Sequence, residues 1–131
     1  MPIDCMTFST EPELVLFISC SGVFCLKDVE KFATFFEEYL YGQEEPFKVL
    51  YDLRQVENMK LESITAIVKH MIKYEKVVKN KLLASSAIVG SSFVESLVNG
   101  LFAIRKPTTP FKITSDIQKA CDFLNEISVN V

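Results

Sequence analysis

Ser21, Arg54, Gly90, Ser91 and Ser92 come nearest to chemistry by residue type and placement. Each stands after a run that reads as a core strand. Ser21-Gly22 follows Leu14-Val15-Leu16-Phe17-Ile18, Arg54-Gln55 follows Phe47 to Leu53, and Gly90-Ser91-Ser92 follows Leu82 to Val89. In a parallel sheet such strand ends share one rim, where ligands generally bind. A Gly-Ser-Ser turn opening a helix presents unbonded N–H groups and the positive end of the helix dipole, which suit an anion. Arginine's planar fork suits the same anion. Plain capping by Ser91 or Ser92 beside a surface arginine is the favoured reading of the same residues, so this rim is expected to be at most a weak ligand site.

Catalysis requires a nucleophile, a base and an orienting group within reach of one another. The single histidine, His70, lies between Lys69 and Met71 among lysines that lower its basicity, and reads as a surface or half-buried helix residue. No G-x-S-x-G, H-E-x-x-H or Walker A pattern occurs. One histidine and four scattered cysteines (Cys5, Cys20, Cys25, Cys121) offer no paired metal-ligand spacing. We expect no enzyme activity, no cofactor, no metal and no disulfide. Cys20 and Cys25 flank a strand end and a helix start, where thiol pKa values can fall. Their plainer reading is as small buried hydrophobes.

Charge is segregated along the chain. Asp28, Glu30, Glu37, Glu38, Glu44 and Glu45 stand against Lys31, whereas Lys69, Lys73, Lys76, Lys79 and Lys81 stand against Glu75. Lys69, Lys73 and Lys76 share one helical stripe, which reads as an interaction face or as a solvated one. Phe35 lies off the core stripe of its own helix and is the candidate apolar anchor. A protein partner or a second copy of the chain fits these features. A small anion or a lipid is the competing ligand.

The 131 residues suit one domain, and 49% hydrophobic content with eleven Phe excludes a disordered chain. A net charge of −3 gives no global pull toward nucleic acid. The start, Met1-Pro2-Ile3-Asp4, lacks the basic and apolar regions of a signal peptide. No apolar run approaches the roughly 18 residues of a membrane span. With sparse cysteines, a cytoplasmic protein with reduced thiols is expected.

The elements that would position these residues alternate. Cys5 to Thr10 and the run from Leu14 read as two strands joined by a turn at Glu11-Pro12-Glu13. Val29, Phe32, Ala33, Phe36, Tyr39 and Leu40 make the inner face of a helix that Gly42 ends. The strand Phe47 to Leu53 follows, then one helix over 60–81 with Leu61, Ile64, Val68, Met71, Tyr74 and Val78 in its core stripe. The strand from Leu82, small-residue-rich at Ala84-Ser85-Ser86-Ala87, suggests close helix packing. A helix with Phe93, Leu97, Leu101 and Ile104 stops at Pro107. The strand Phe111 to Thr114 leads to a last helix, capped by Ser115 and Gln118. The order β-β-α-β-α-β-α-β-α predicts an α/β fold with a mostly parallel five-stranded sheet and one antiparallel edge strand.

That order, the apolar strand running into Ser21-Gly22, the strand end Val49-Leu50-Tyr51-Asp52-Leu53-Arg54, and Pro110-Phe111 leading to Ile117-Gln118-Lys119-Ala120-Cys121-Asp122-Phe123-Leu124 resemble the STAS-like superfamily, in its SpoIIAA-like branch. The resemblance covers nearly the whole chain with short motifs. It implies a mostly non-enzymatic regulatory or protein-interaction module, among whose relatives some hold apolar ligands. In the family's phosphorylated antagonists an Asp-Ser-Ser-Gly-like loop opens the helix after the second core strand, and one serine takes the phosphate. Here that stretch reads Asn58-Met59-Lys60-Leu61-Glu62-Ser63, so the motif is absent and only Ser63 stands near the phosphorylated position.

Overall fold

The computed structural model describes residues 3–9, 14–42 and 44–127. Five strands, β1 (Ile3–Ser9), β2 (Leu14–Phe24), β3 (Phe47–Met59), β4 (Leu82–Val89) and β5 (Phe111–Thr114), form one sheet in that spatial order. β1 runs antiparallel to β2, from Ile3 opposite Cys20 to Ser9 opposite Leu14. The other neighbours are parallel. A sheet that steps one way through right-handed crossovers must carry its connecting helices on one face. That is the arrangement of α1 (Leu26–Gly42), α2 (Leu61–Lys73), α3 (Glu75–Lys81) and α4 (Ser92–Ile104). Only α5 (Ile117–Glu126), which follows the last parallel strand, packs on the opposite face.

Strand alternation sorts side chains between two cores. Leu16, Ile18, Phe47 and Val49 face α1 to α4, whereas Val15, Leu50, Ala84 and Ile88 meet Ala120 and Leu124 of α5. The small residues of β4 permit the close approach on the α5 side, where Ser86 Oγ donates to the Ala120 carbonyl at 3.2 Å.

Three expectations change, and one falls outside the described residues. The turn at Glu11-Pro12-Glu13 lies outside the described residues, as does the Cys5 side chain. The helix over 60–81 is two helices, broken at Tyr74 (φ −101°, ψ 8°). Its N–H still bonds the His70 carbonyl at 3.0 Å, so the periodicity hardly registers the break. The last helix is capped by Asp116, whose carboxylate accepts the Gln118 N–H at 2.8 Å, and not by Ser115.

The third change bears on the site. β2 and β3 continue past Ser21 and Arg54 to Phe24 and Met59, with register irregularities between Ser19 and Ser21 and between Gly22 and Val23. Gly22 carries the bulged backbone at φ 76°, a conformation glycine adopts without steric cost.

Of the expected core, Leu16, Ile18, Phe36, Val49, Ile88, Leu101 and Leu124 are buried. Phe32, Tyr51, Ile64, Val68, Met71 and Leu97 are only half-buried. Leu61, placed in the core stripe of its helix, is 79% exposed. On α2 only Ser63 is buried, because that helix stands away from the sheet over a cavity.

Candidate functional site

The rim residues do come together, through backbone. Ser21 lies opposite Gln55 within the extended β2–β3 ladder. Gly90 abuts the next residue along β3, since a Cβ built on it would stand 2.5 Å from the Arg54 carbonyl oxygen. The polar groups expected to hold an anion are otherwise engaged. Asp52 accepts from Arg54 Nε at 2.9 Å and from its Nη2 at 2.8 Å, so the arginine fork is closed on its own neighbour. The Arg54 hydrogen bond holds the Asp52 carboxyl below the usual carboxylate range. Ser91 Oγ accepts the Val94 N–H at 3.2 Å, the plain helix cap that was the bland reading of this serine. Ser92 is exposed as the first helical residue.

Ser63 is placed against modification. It is fully buried, and its hydroxyl donates to the Phe24 carbonyl at 3.0 Å. A phosphoryl group there would require α2 to leave the end of β2, which it also joins through Lys60 N–H to Phe24 O at 3.1 Å. Cys20 is buried, and Cys25 and Cys121 are half-buried thiols. The Cys25 thiol and backbone N–H both donate to Asp28, at 3.1 and 2.9 Å. Among the described residues no cluster of His, Cys, Asp or Glu has the makings of a metal site.

An apolar cavity of about 240 Å³ lies between the sheet and the α1–α4 layer. Its floor is Tyr51 and Leu53 of β3, Ser85 and Ala87 of β4, and Phe111 of β5. The register sets Ser85 between Val49 and Phe111, and Ala87 between Tyr51 and Ile113. Two small side chains on β4 therefore leave volume that larger neighbours on both sides do not fill. Phe32 and Phe36 wall it from α1, Ile67, His70 and Met71 from α2, and Leu101 and Phe102 from α4. Pro107, Thr108 and Thr109 also line it, as does Met59. An ion pair between Arg105 and Glu75 ties the end of α4 to the start of α3 beside it.

The cavity wall holds an unpaired polar atom. His70 Nδ1 is shielded from water and has no hydrogen-bond partner among the described residues. The ring stacks on Tyr74 with centroids 6.0 Å apart and planes 4° from parallel. Tyr74 is buried and donates its hydroxyl to Glu37. Burial, then that carboxylate, push the Tyr74 phenol above its ordinary pKa. Lys73 Nζ lies 5.2 Å from the same ring's centroid. Sequence reasoning took His70 for an ordinary helix residue. The overlooked signal was the alternation of small side chains facing it from β4.

Lys69, Lys73 and Lys76 are exposed on the outer side of α2 and α3, as their stripe predicted. Phe35 is half-buried, stacks on Tyr39 at 6.3 Å and packs against the core, so it stands out less than expected of an anchor. The acidic face is also thinner than the composition suggested, because Asp28 is buried and Glu37 is engaged by Tyr74. No described helix is long and apolar enough to cross a membrane.

No family model and no curated protein matches the chain by sequence. Solved structures do match by shape. A DUF3478-family protein with a SpoIIAA-like fold from Shewanella loihica PV-4 superposes with a TM-score of 0.70 at 19% identity, over 93% of each chain. The anti-sigma factor antagonist SpoIIAA, in its unphosphorylated form, matches with a TM-score of 0.60 at 12% identity, over 95% of this chain and 100% of that one. A chain of the complex of diguanylate cyclase SiaD with its activator SiaC from Pseudomonas aeruginosa gives 0.55 at 13% identity, over 75% and 82%. The chain has the SpoIIAA-like, STAS-like α/β fold.

Proposed function

We propose that this chain is a non-catalytic regulatory module of the cytoplasm that binds another protein through the outer face of α2. The observation that carries the reading is the composition of that face. Leu61 is 79% exposed and Ile72 53% exposed. They are eleven residues apart (72 − 61), three helical turns, and so point the same way. Exposed Lys69 and Lys73 border them, and Lys76 continues the basic surface onto α3. Aliphatic anchors beside a mainly basic rim, in which exposed Glu62 also stands, suit a partner with an apolar groove and mostly acidic edges, where the charges set orientation and encounter rate. Likeness of fold to an anti-sigma factor antagonist and to a chain of an activator complex supports the reading, since those proteins act on other proteins.

One acidic partner is a second copy, through the exposed Glu30, Glu38, Glu44 and Glu45 around α1. Exposed ion pairs contribute little singly, about 0–1 kcal/mol, and are screened beyond about 8–10 Å at physiological ionic strength. Sedimentation velocity at low and high salt tests this arm. Reversible dimers that dissociate as salt rises make the chain its own partner. A strict monomer at high concentration and low salt assigns the face to a different protein.

A further inference from the structure

We infer that the cavity beneath α2 binds a medium-chain carboxylate amphiphile, its tail among the aromatic and methionine side chains and its head group on His70. The inference rests on the cavity and on His70, and takes from the protein-binding face only the positive field of Lys69 and Lys73.

Size and lining come first. A dry cavity of about 150 Å³ lined by Leu, Ile and Phe already accepts benzene. This one is about 240 Å³ and lined almost wholly by apolar groups. Water gains little there, since a buried water needs two to four polar partners. Phe32, Phe102 and Phe111 supply rigid apolar walls, and Met59 and Met71 supply flexible ones that adapt to an alkyl chain.

The head group is argued from His70. A buried imidazole nitrogen without a partner forfeits a hydrogen bond, and a ligand oxygen restores it. The surroundings favour a negative oxygen. His70 lies between Lys69 and Lys73, and Lys73 holds its ammonium over the Tyr74 ring on which His70 stacks. The nearby acid, Glu37, is occupied by the Tyr74 hydroxyl. A carboxylate fits this field better than an alcohol or an amine.

Isothermal titration of the full chain with decanoate and with decanol, both below their aggregation limits, tests the site. The expected result is saturable binding of decanoate, tighter than decanol by roughly tenfold to a hundredfold, the scale of one charge-assisted hydrogen bond. His70→Leu should reduce decanoate to the affinity of decanol. Ala87→Leu, which fills the floor, should abolish binding of both. Met71→Trp closes the cavity from the opposite wall and should do the same if Ala87→Leu fails to fold, with circular dichroism as the check on each variant. Absence of decanoate binding to the unaltered protein overturns the site. So does undiminished binding in the folded cavity-filling variants. Equal affinity for decanoate in His70→Leu overturns the role of the histidine.

Discussion

Replacing Lys48 by Met should lower the stability of the domain by about 3 kcal/mol, a fall in midpoint of about 12 °C at about 4 °C per kcal/mol for a chain of this size. Lys48 is 3% exposed, a charged side chain buried within the sheet. It points to the α5 side, and its ammonium donates to the carbonyls of Leu124 and Ile127. Those groups lie at the C-terminal end of α5, where the backbone has unbonded carbonyls and the helix dipole is negative. The lysine therefore does for α5 what a glycine cap does elsewhere, and anchors it to β3 at the same time. Methionine keeps most of the stem volume but removes both charge-assisted hydrogen bonds, leaving the Leu124 carbonyl to the Ile127 N–H at 3.2 Å. Part of the loss is offset because a buried ammonium no longer has to be desolvated. Thermal and urea unfolding of the variant measure the effect. A midpoint within a degree or two of the parent would mean that Lys48 is not what holds α5 to the sheet.

Gly90→Ala should be the other strongly destabilising change, by about 1–3 kcal/mol. The reason is close approach and not backbone angle. The added methyl would stand 2.5 Å from the Arg54 carbonyl oxygen, with the Arg54 Cα and carbonyl carbon at 3.2 Å. All three are backbone atoms of a paired strand, so nothing nearby yields by a change of rotamer. Either the β4–α4 turn lifts away from β3 or β3 shifts against its neighbours. Gly100→Ala is the matched control, because a Cβ there meets nothing within 4 Å, and in a helix that change should be neutral or stabilising. Chemical denaturation of the two variants side by side decides it. Equal stability of both would contradict the close approach.

How far the sequence could be read follows from the same local physics. The order of strands and helices was legible because Leu14 to Ile18 is a continuous apolar run and the helices have apolar faces, as at Val29, Ala33, Phe36 and Leu40. The far end of β3 was not. Beyond Leu53 the strand outruns β4 and pairs only with β2, so Arg54, Gln55, Glu57 and Asn58 are exposed and just Val56 is buried. A polar half-paired strand reads as a loop. That shifted the supposed rim, and Ser21 and Arg54 lie within the ladder and not at its end. Arg54 was identified as an anion group because its partner, two residues back at Asp52, was counted as part of a core strand. Leu61 was assigned to the core by spacing alone, yet it is the first residue of α2 and points outward. The cavity was hidden for a similar reason. Ser85 and Ala87 look like packing residues, and on the other face of the same strand Ala84 and Ser86 are.

The central claim, binding of another protein through the outer face of α2, is tested most directly by site-specific photocrosslinking in the cells that make the protein. A photoreactive residue is placed at Leu61 and, separately, at Ile117, which is 46% exposed on α5 at the opposite face of the sheet. The account predicts a discrete crosslinked protein band from position 61 that is absent from position 117. It also predicts that the band disappears when Lys69, Lys73 and Lys76 are all changed to Glu. Crosslinks of equal yield at both positions, or a band at 61 that survives reversal of the three lysines, would contradict it.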